Sequence, residues 1–222
     1  MITKDYQRFF RELAANNSKA WFQANRPFFE QSVKAPFLAL ISQLLPQLQL
    51  LEPDIPSSPK ATLFRINRDL RFSKDKTPYH LLMKASFVPH GKKSGQPGFY
   101  LGIGADTIHV GGGLFKIPTR GLQQLRSNMV EQPAIFHGIL RADRFLHHFG
   151  SLQGTSAQRL PKKWQANVEQ IPELTKRQFY AMQKLQLADY FDKEELEPRL
   201  MAAFRAVHPL NTFLQQATAT LS

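Results

Sequence analysis

The sequence contains no cysteine among its 222 residues. This absence excludes disulfides, thiolate nucleophiles, iron–sulfur clusters and cysteine-based zinc sites. Long hydrophobic runs are also absent, because the longest one, residues 35–41, is far below the roughly 18 residues that a membrane span needs. The N-terminal residues alternate charged and apolar side chains and lack the apolar stretch of a secretory signal. We therefore expect a cytoplasmic protein that does not associate with membranes.

Recognisable catalytic and metal-binding motifs are missing as well. The seven histidines are scattered, and no two of them have the spacing of a metal site with a helper carboxylate. There is no G-x-S-x-G elbow, and Gly102-x-Gly104 lacks the third glycine of a dinucleotide-binding turn. The sequence thus names no reaction, no cofactor and no metal.

Acidic residues are scarce relative to basic ones, with 17 Asp and Glu against 29 Lys and Arg. The formal net charge is +12 and the isoelectric point is about 10.1. A protein with this charge favours acidic partners such as nucleic acid, nucleotides or anionic glycans.

What is present is the composition of a globular protein, with 42% hydrophobic residues and 18 Phe. No low-complexity linker or internal repeat interrupts it. A chain of this length can bury one sizeable core but is short for two. We predict a single α+β domain over residues 1–222.

Hydrophobic periodicity predicts helices at both ends of the chain and strands in its middle. Strands are expected near residues 62–72, 82–89, 98–104 and 107–111, as an antiparallel meander. Helices are expected from residue 3 to about residue 48 with interruptions, and then near residues 119–130, 132–140, 174–186 and 193–219. This order predicts a curved antiparallel sheet packed against N- and C-terminal helices.

The most informative stretch is residues 65–79, which we call the basic segment. It holds five cations and only two carboxylates: Arg65, Arg68, Arg71, Lys74 and Lys76 against Asp69 and Asp75. Residues 60–93 contain nine Lys and Arg against two Asp and Glu, a net charge of +7. Because like charges at close range repel, such a segment needs carboxylates, water or an anionic partner around it.

The start of the basic segment has the pattern of a strand. A period of two places Phe64, Ile66, Leu70 and Phe72 on one face and Arg65, Asn67, Asp69 and Arg71 on the other. Arg68 falls on the apolar face, so either a bulge shifts the register there or Arg68 is partly buried and paired with a carboxylate. Residues 73–78 have no apolar periodicity, which predicts a loop.

Two interpretations of the basic segment remain open. As a functional site, Arg65, Arg68, Arg71, Lys74 and Lys76 would bind an anion, with a hydroxyl donor from Ser73. Asp69 or Asp75 would then act as general base or metal ligand. As a structural network, Asp69 and Asp75 would instead hold the arginines in place. Two carboxylates cannot neutralise five cations, which favours the functional interpretation.

The glycine run 111–113 follows Ile108-His109-Val110, at the end of the predicted strand 107–111. Successive glycines can turn backbone N–H groups toward an anion, or they can form a bulge or tight turn. No Gly-Lys-Ser/Thr follows, so the run is not a nucleotide-binding P-loop.

The basic segment resembles the signature of a conserved hypothetical family found in bacteria and fungi, domain of unknown function 2461. The shared pattern is Arg-x-x-Arg-Asp-x-Arg-Phe-Ser-Lys-Asp-Lys-x-Pro-Tyr, ending at Tyr79. Further similarity lies in the Asn-Asn-Ser-Lys-Ala-Trp-Phe element of residues 16–22, in Gly112 and Gly113, and in the Arg-Leu-Pro-Lys motif that begins at Arg159. The resemblance implies a single domain and adds Tyr79, Gly112, Gly113 and Arg159 to the ligand-binding candidates. It implies no reaction.

Three functions are compatible with these residues. The first is recognition of an anionic or phosphorylated ligand, with phosphoryl or phosphodiester chemistry if the protein is an enzyme. The second is a non-enzymatic nucleic-acid module whose basic surface, residues 60–93, holds backbone phosphates. The third is an interaction protein in which the basic segment is a rigid internal network.

Overall fold

The computed structural model describes residues 1–218, and its N-terminal quarter is helical. Helix α1, Lys4–Ala15, buries Tyr6, Phe9, Phe10 and Leu13 at the spacing of one helix face. Ser18 accepts a hydrogen bond from the backbone N–H of Trp21 and caps α2, Lys19–Ala24. Helix α3, Arg26–Phe29, continues through a π-helical turn, Glu30–Lys34, into α4, Ala35–Leu51, and the short α5, Pro59–Thr62, follows.

Three strands from the middle of the chain and one strand from later in it form a four-stranded sheet in which every neighbouring pair is antiparallel. Its strands are β1, Leu82–Phe87; β2, Gly98–Gly104; β3, Thr107–Leu114; and β4, Phe179–Gln186, in the spatial order β1-β2-β3-β4. The first three strands correspond to the last three of the four strands predicted for the meander, with Ala85 opposite Leu101 and Leu101 opposite Val110. The α+β fold predicted from the sequence is therefore confirmed.

The segment 174–186 was predicted to be helical, and this prediction was wrong. Residues 179–186 instead form β4, which pairs along its whole length with β3. Phe179, Ala181 and Leu185 are buried while Lys184 and Gln186 are exposed, as a half-buried strand requires. The segment contains helix-forming residues, but their intrinsic preference for a helix is outweighed by hydrogen-bonded pairing with the open edge of β3.

Further α-helices lie between β3 and β4, and a last α-helix follows β4. They are α6, Thr119–Glu131; α7, Pro133–Arg141; α8, Asp143–Phe149; α9, Lys162–Gln165; and α10, Leu196–Thr218. The predicted end of the last helix, residue 219, lies outside the described residues, as do residues 220–222 of the predicted domain. No helix within residues 1–218 has the length and apolar character to cross a membrane.

Helix α10 packs directly on β3 at the glycine run. A Cβ at Gly112 would lie 2.7 Å from the carbonyl oxygen of Gly98 and 3.0 Å from the Val207 side chain of α10. Gly112 is buried and pairs with Phe99 on one side and Ala181 on the other. The glycine run therefore lets a helix approach the sheet closely.

Candidate anion-binding site

The basic segment lies on the outer side of β1 as an irregular hairpin. Leu63 forms an isolated bridge with Ala85 of β1, and Asn67 forms another with Tyr79. The N–H of Arg68 donates to the carbonyl of Pro78 at 2.9 Å, so residues 69–77 form the exposed tip.

The predicted strand over residues 62–72 is not formed. Of its supposed buried face only Ile66 is buried, while Phe64 is 37% and Phe72 is 96% exposed. The segment pairs with β1 through an isolated bridge, and a continuous ladder would be needed to hold every second side chain inward. The predicted cationic side chains consequently lie on a hairpin rather than on one face of a central strand.

The hairpin is anchored to the N-terminal helices by Asn17. The Asn17 side chain accepts a hydrogen bond from the Tyr79 N–H at 3.1 Å and donates one to the Tyr79 carbonyl at 3.0 Å. The Tyr79 ring is buried and stacked on Phe22, with 4.1 Å between ring centroids. Tyr79, a predicted ligand-binding residue, thus packs in the core and fixes the base of the hairpin. Sequence reasoning missed this role of Asn17, for which its place in the Asn-Asn-Ser element was the only signal.

Arg68 organises the tip of the hairpin, and its side chain is 21% exposed. It forms an ion pair with Asp75 and donates hydrogen bonds to the hydroxyl of Thr77, to the Thr77 carbonyl at 3.1 Å and to Ser73 Oγ at 3.2 Å. Ser73 Oγ donates in turn to the Asp75 carbonyl at 2.8 Å. Of the two interpretations of Arg68, partial burial with a carboxylate partner is the one that the structure confirms.

Both carboxylates of the basic segment are held in the ionised form. Hydrogen bonds from the Arg71 side chain, at 2.7 Å between Nη2 and Oδ2, and from its backbone N–H lower the pKa of Asp69 to about 2, with a smaller contribution from the charge of Arg65. The backbone N–H of Thr77, followed by Arg68 and the Thr77 hydroxyl, lowers the pKa of Asp75 to about 2. Such carboxylates are weak bases at neutral pH. Their geometry makes them charge partners of Arg71 and Arg68.

These contacts predict a pH dependence that is confined to the hairpin. Because folding lowers both pKa values below the ordinary 3.8, the two carboxylates stabilise the tip at pH values above 3.8, and this stabilisation is lost as the pH falls through about 2. Replacing Arg71 with alanine should raise the pKa of Asp69 toward 3.8 and leave that of Asp75 unchanged. Carboxyl titration by NMR measures both, and an equal shift of both pKa values would contradict the separate pairing.

An open depression of about 540 Å³ lies beside this network. Its lining residues are Lys19, Arg65, Asn67, Arg68, Asp69, Leu70, Arg71 and Pro78. Asp69 and Asp75 are engaged by Arg71 and Arg68. Within residues 1–218, the side chains of Lys19 and Arg65 form no hydrogen bond or ion pair, and both are exposed. Among the residues that the structure describes, these two positive charges at the depression therefore have no ion-pair partner.

Other cations of the basic segment lie at its tip. Lys76 Nζ donates to the carbonyl of Leu70 at 3.1 Å, whereas Lys74 is exposed and has no side-chain partner in the described part of the chain. Lys76 therefore has a structural contact that the sequence did not predict, and Lys74 adds a solvated charge near the site.

The structure does not bring Gly112, Gly113 and Arg159 to the basic segment. Gly112 and Gly113 pair on both sides within the sheet, next to the Phe87 end of β1, whereas Asn67 and Tyr79 lie beyond its other end. Their backbone groups face neighbouring strands rather than a ligand. Arg159 follows Ser156, which bridges Lys176 just before β4, at the opposite edge of the sheet from the hairpin.

A larger cavity of about 730 Å³ lies at that other side of the molecule. It is formed by the turn at residues 94–96, the end of β3, the beginning of α6, Thr155 and Arg177. The described residues that line it include two cations, Lys116 and Arg177, and no carboxylate. Because it shares no residue with the basic segment, it is a separate candidate for ligand binding.

Comparison with known proteins extends the sequence resemblance to nearly the whole chain. A family model described as conserved hypothetical protein (DUF2461) matches residues 5–213. No curated protein matches the chain.

Proposed function

The chain belongs to the DUF2461 family, and we propose that it is an anion-binding protein whose basic segment recognises phosphate-bearing ligands. The observation that supports this proposal is the pair of exposed cations, Lys19 and Arg65, which line the depression and have no ion-pair partner within residues 1–218. A purely structural network would leave no cation of the depression without a carboxylate partner. Asp75 and Asp69 pair with Arg68 and Arg71, which also line the depression, and no carboxylate of the hairpin is left for Lys19 and Arg65.

The chemistry of the two cations suits a phosphate group. The planar guanidinium of Arg65 can donate two parallel hydrogen bonds to phosphate oxygens, and the ammonium of Lys19 adds a point charge. The hydrogen bonds of Arg68 at the tip of the hairpin (the Arg68 network) and those between Asn17 and Tyr79 at its base (the Asn17 clamp) hold the hairpin in place before the ligand binds. This preorganisation reduces the entropic cost of binding. The low pKa values of Asp69 and Asp75 favour recognition over general base catalysis at this site.

Titration calorimetry with pyrophosphate tests the proposal. Hydrogen bonds to charged groups contribute roughly 1.5–3 kcal/mol each, so Arg65→Ala should weaken binding about tenfold or more. Its thermal unfolding should be unchanged, because the Arg65 side chain has no hydrogen-bond partner among the described residues of the folded protein.

The matched control is Arg144→Ala, which removes an exposed arginine from α8. It changes the net charge equally and should leave pyrophosphate affinity unchanged. If the parent protein does not bind pyrophosphate at low salt, or if both variants lose affinity equally, the proposed site is wrong.

A further inference from the structure

The tip of the hairpin exposes an aromatic ring. Phe72 is 96% exposed, and its ring lies 5.9 Å from the guanidinium carbon of Arg71, which lines the depression. Leaving this ring in water forgoes the free energy that its burial would contribute. The ring therefore lies beside one of the cations that line the depression.

A second ring beside the same segment is also surrounded by cations. Phe64 is 37% exposed, and its centroid lies 5.8 Å from Lys84 Nζ and 5.0 Å from Lys92 Nζ. Burial lowers the pKa of both lysines, but water still reaches them. Exposed aromatic rings and cations therefore occur side by side twice within residues 60–93, the stretch that carries a net charge of +7.

Single-stranded nucleic acid carries the two chemical groups that this surface would accept. Its phosphates bind cations, and its unpaired bases present flat faces that stack on aromatic side chains. A duplex hides those faces within its own stack, and a lone phosphate has none. An anionic membrane is less suited, because the direct neighbours of Phe72 in the chain are the polar residues Arg71 and Ser73.

We propose that the basic segment binds single-stranded nucleic acid, with Phe72 stacked on a base and with Lys19 and Arg65 holding neighbouring phosphates. This inference rests on the proposed anion-binding function and names the class of its ligand. The other cations of residues 60–93 extend the contact along the strand, so binding should weaken steeply as salt is added.

The experiment is fluorescence anisotropy with a labelled oligothymidylate of about ten nucleotides, within the site size of one single-strand binding module, beside calorimetry with pyrophosphate on the same proteins. Phe72→Ala should weaken oligonucleotide binding roughly tenfold, the size expected for the loss of one stacked base, and leave pyrophosphate affinity unchanged. Phe72→Tyr keeps an aromatic face and should bind as the parent does. Leu50→Ala removes another exposed apolar side chain, 85% exposed on α4, that lines neither the depression nor the larger cavity, and it should have no effect.

The outcomes separate the two proposals. Pyrophosphate binding together with an oligonucleotide affinity that does not respond to Phe72→Ala would overturn the nucleic-acid inference alone. Failure of both ligands to bind at low salt would overturn the anion site as well. Tighter binding to duplex than to single strand, or binding to phosphatidylserine vesicles that depends on Phe72, would also contradict the inference.

Discussion

Gly111→Ala is expected to destabilise the protein strongly. A Cβ at Gly111 would lie 2.0 Å from the carbonyl oxygen of Ala181 and 2.9 Å from the Cα of Met182. Both atoms belong to the backbone of β4, so the strand itself would have to move. Overpacking of this kind costs roughly 3 kcal/mol or more in the free energy of unfolding, which urea denaturation measures directly.

Gly138→Ala is the matched control for this substitution. Gly138 is an exposed residue of α7, and a Cβ there would meet no atom within 4 Å. Alanine is favoured over glycine in a helix by about 1 kcal/mol, so this variant should be as stable as the parent or slightly more stable. Equal stability of Gly111→Ala and the parent would mean that β3 and β4 are not packed as described.

Reversing the charges of Lys19 and Arg65 together is expected to abolish anion binding. In the double variant Lys19→Glu, Arg65→Glu, the depression would carry two carboxylates where the proposed phosphate sits. Because like charges repel at close range, pyrophosphate affinity should fall by more than about a hundredfold, on the order of two charge-assisted hydrogen bonds lost. The melting temperature should change little, since both side chains are exposed.

A second double variant controls for the change in net charge. Arg141→Glu, Arg144→Glu alters the total charge by the same amount at exposed positions of α7 and α8. It should reduce pyrophosphate affinity only slightly at physiological salt, because the Debye length there is about 8 Å. A comparable loss in the two double variants would mean that the protein attracts anions through its overall charge and not through the depression.

The meander and the terminal helices could be predicted because their signals are local. Residues 82–87 alternate between buried and partly exposed side chains, residues 98–104 are mainly apolar, and turn-forming glycines lie between them. Helix α1 shows its buried face in the spacing of Tyr6, Phe9 and Leu13. The fourth strand could not be predicted in this way. Its residues prefer a helix, and only the presence of β3, far earlier in the chain, makes them a strand.

Some features of the candidate site could likewise be predicted from the sequence, and others could not. The excess of cations and the carboxylate partner of Arg68 follow from residue types within the segment, and the sequence alone suggested both. The contribution of Lys19 and the Asn17 clamp could not be foreseen, because each joins residues that are distant in the chain. The alternation of Phe64, Ile66 and Phe72 was misleading, since a period of two specifies faces only where a ladder holds the strand.

The most direct test of the anion site is an NMR titration of the isotope-labelled protein with pyrophosphate at low salt. Saturable chemical-shift changes are expected at Lys19 and at residues 65–71, around the depression. They should be absent at residues 94–96 and 116–119, which line the larger cavity on the other side of the molecule. Shifts confined to that larger cavity, or no saturable shifts at all, would contradict the assignment of the basic segment as the site.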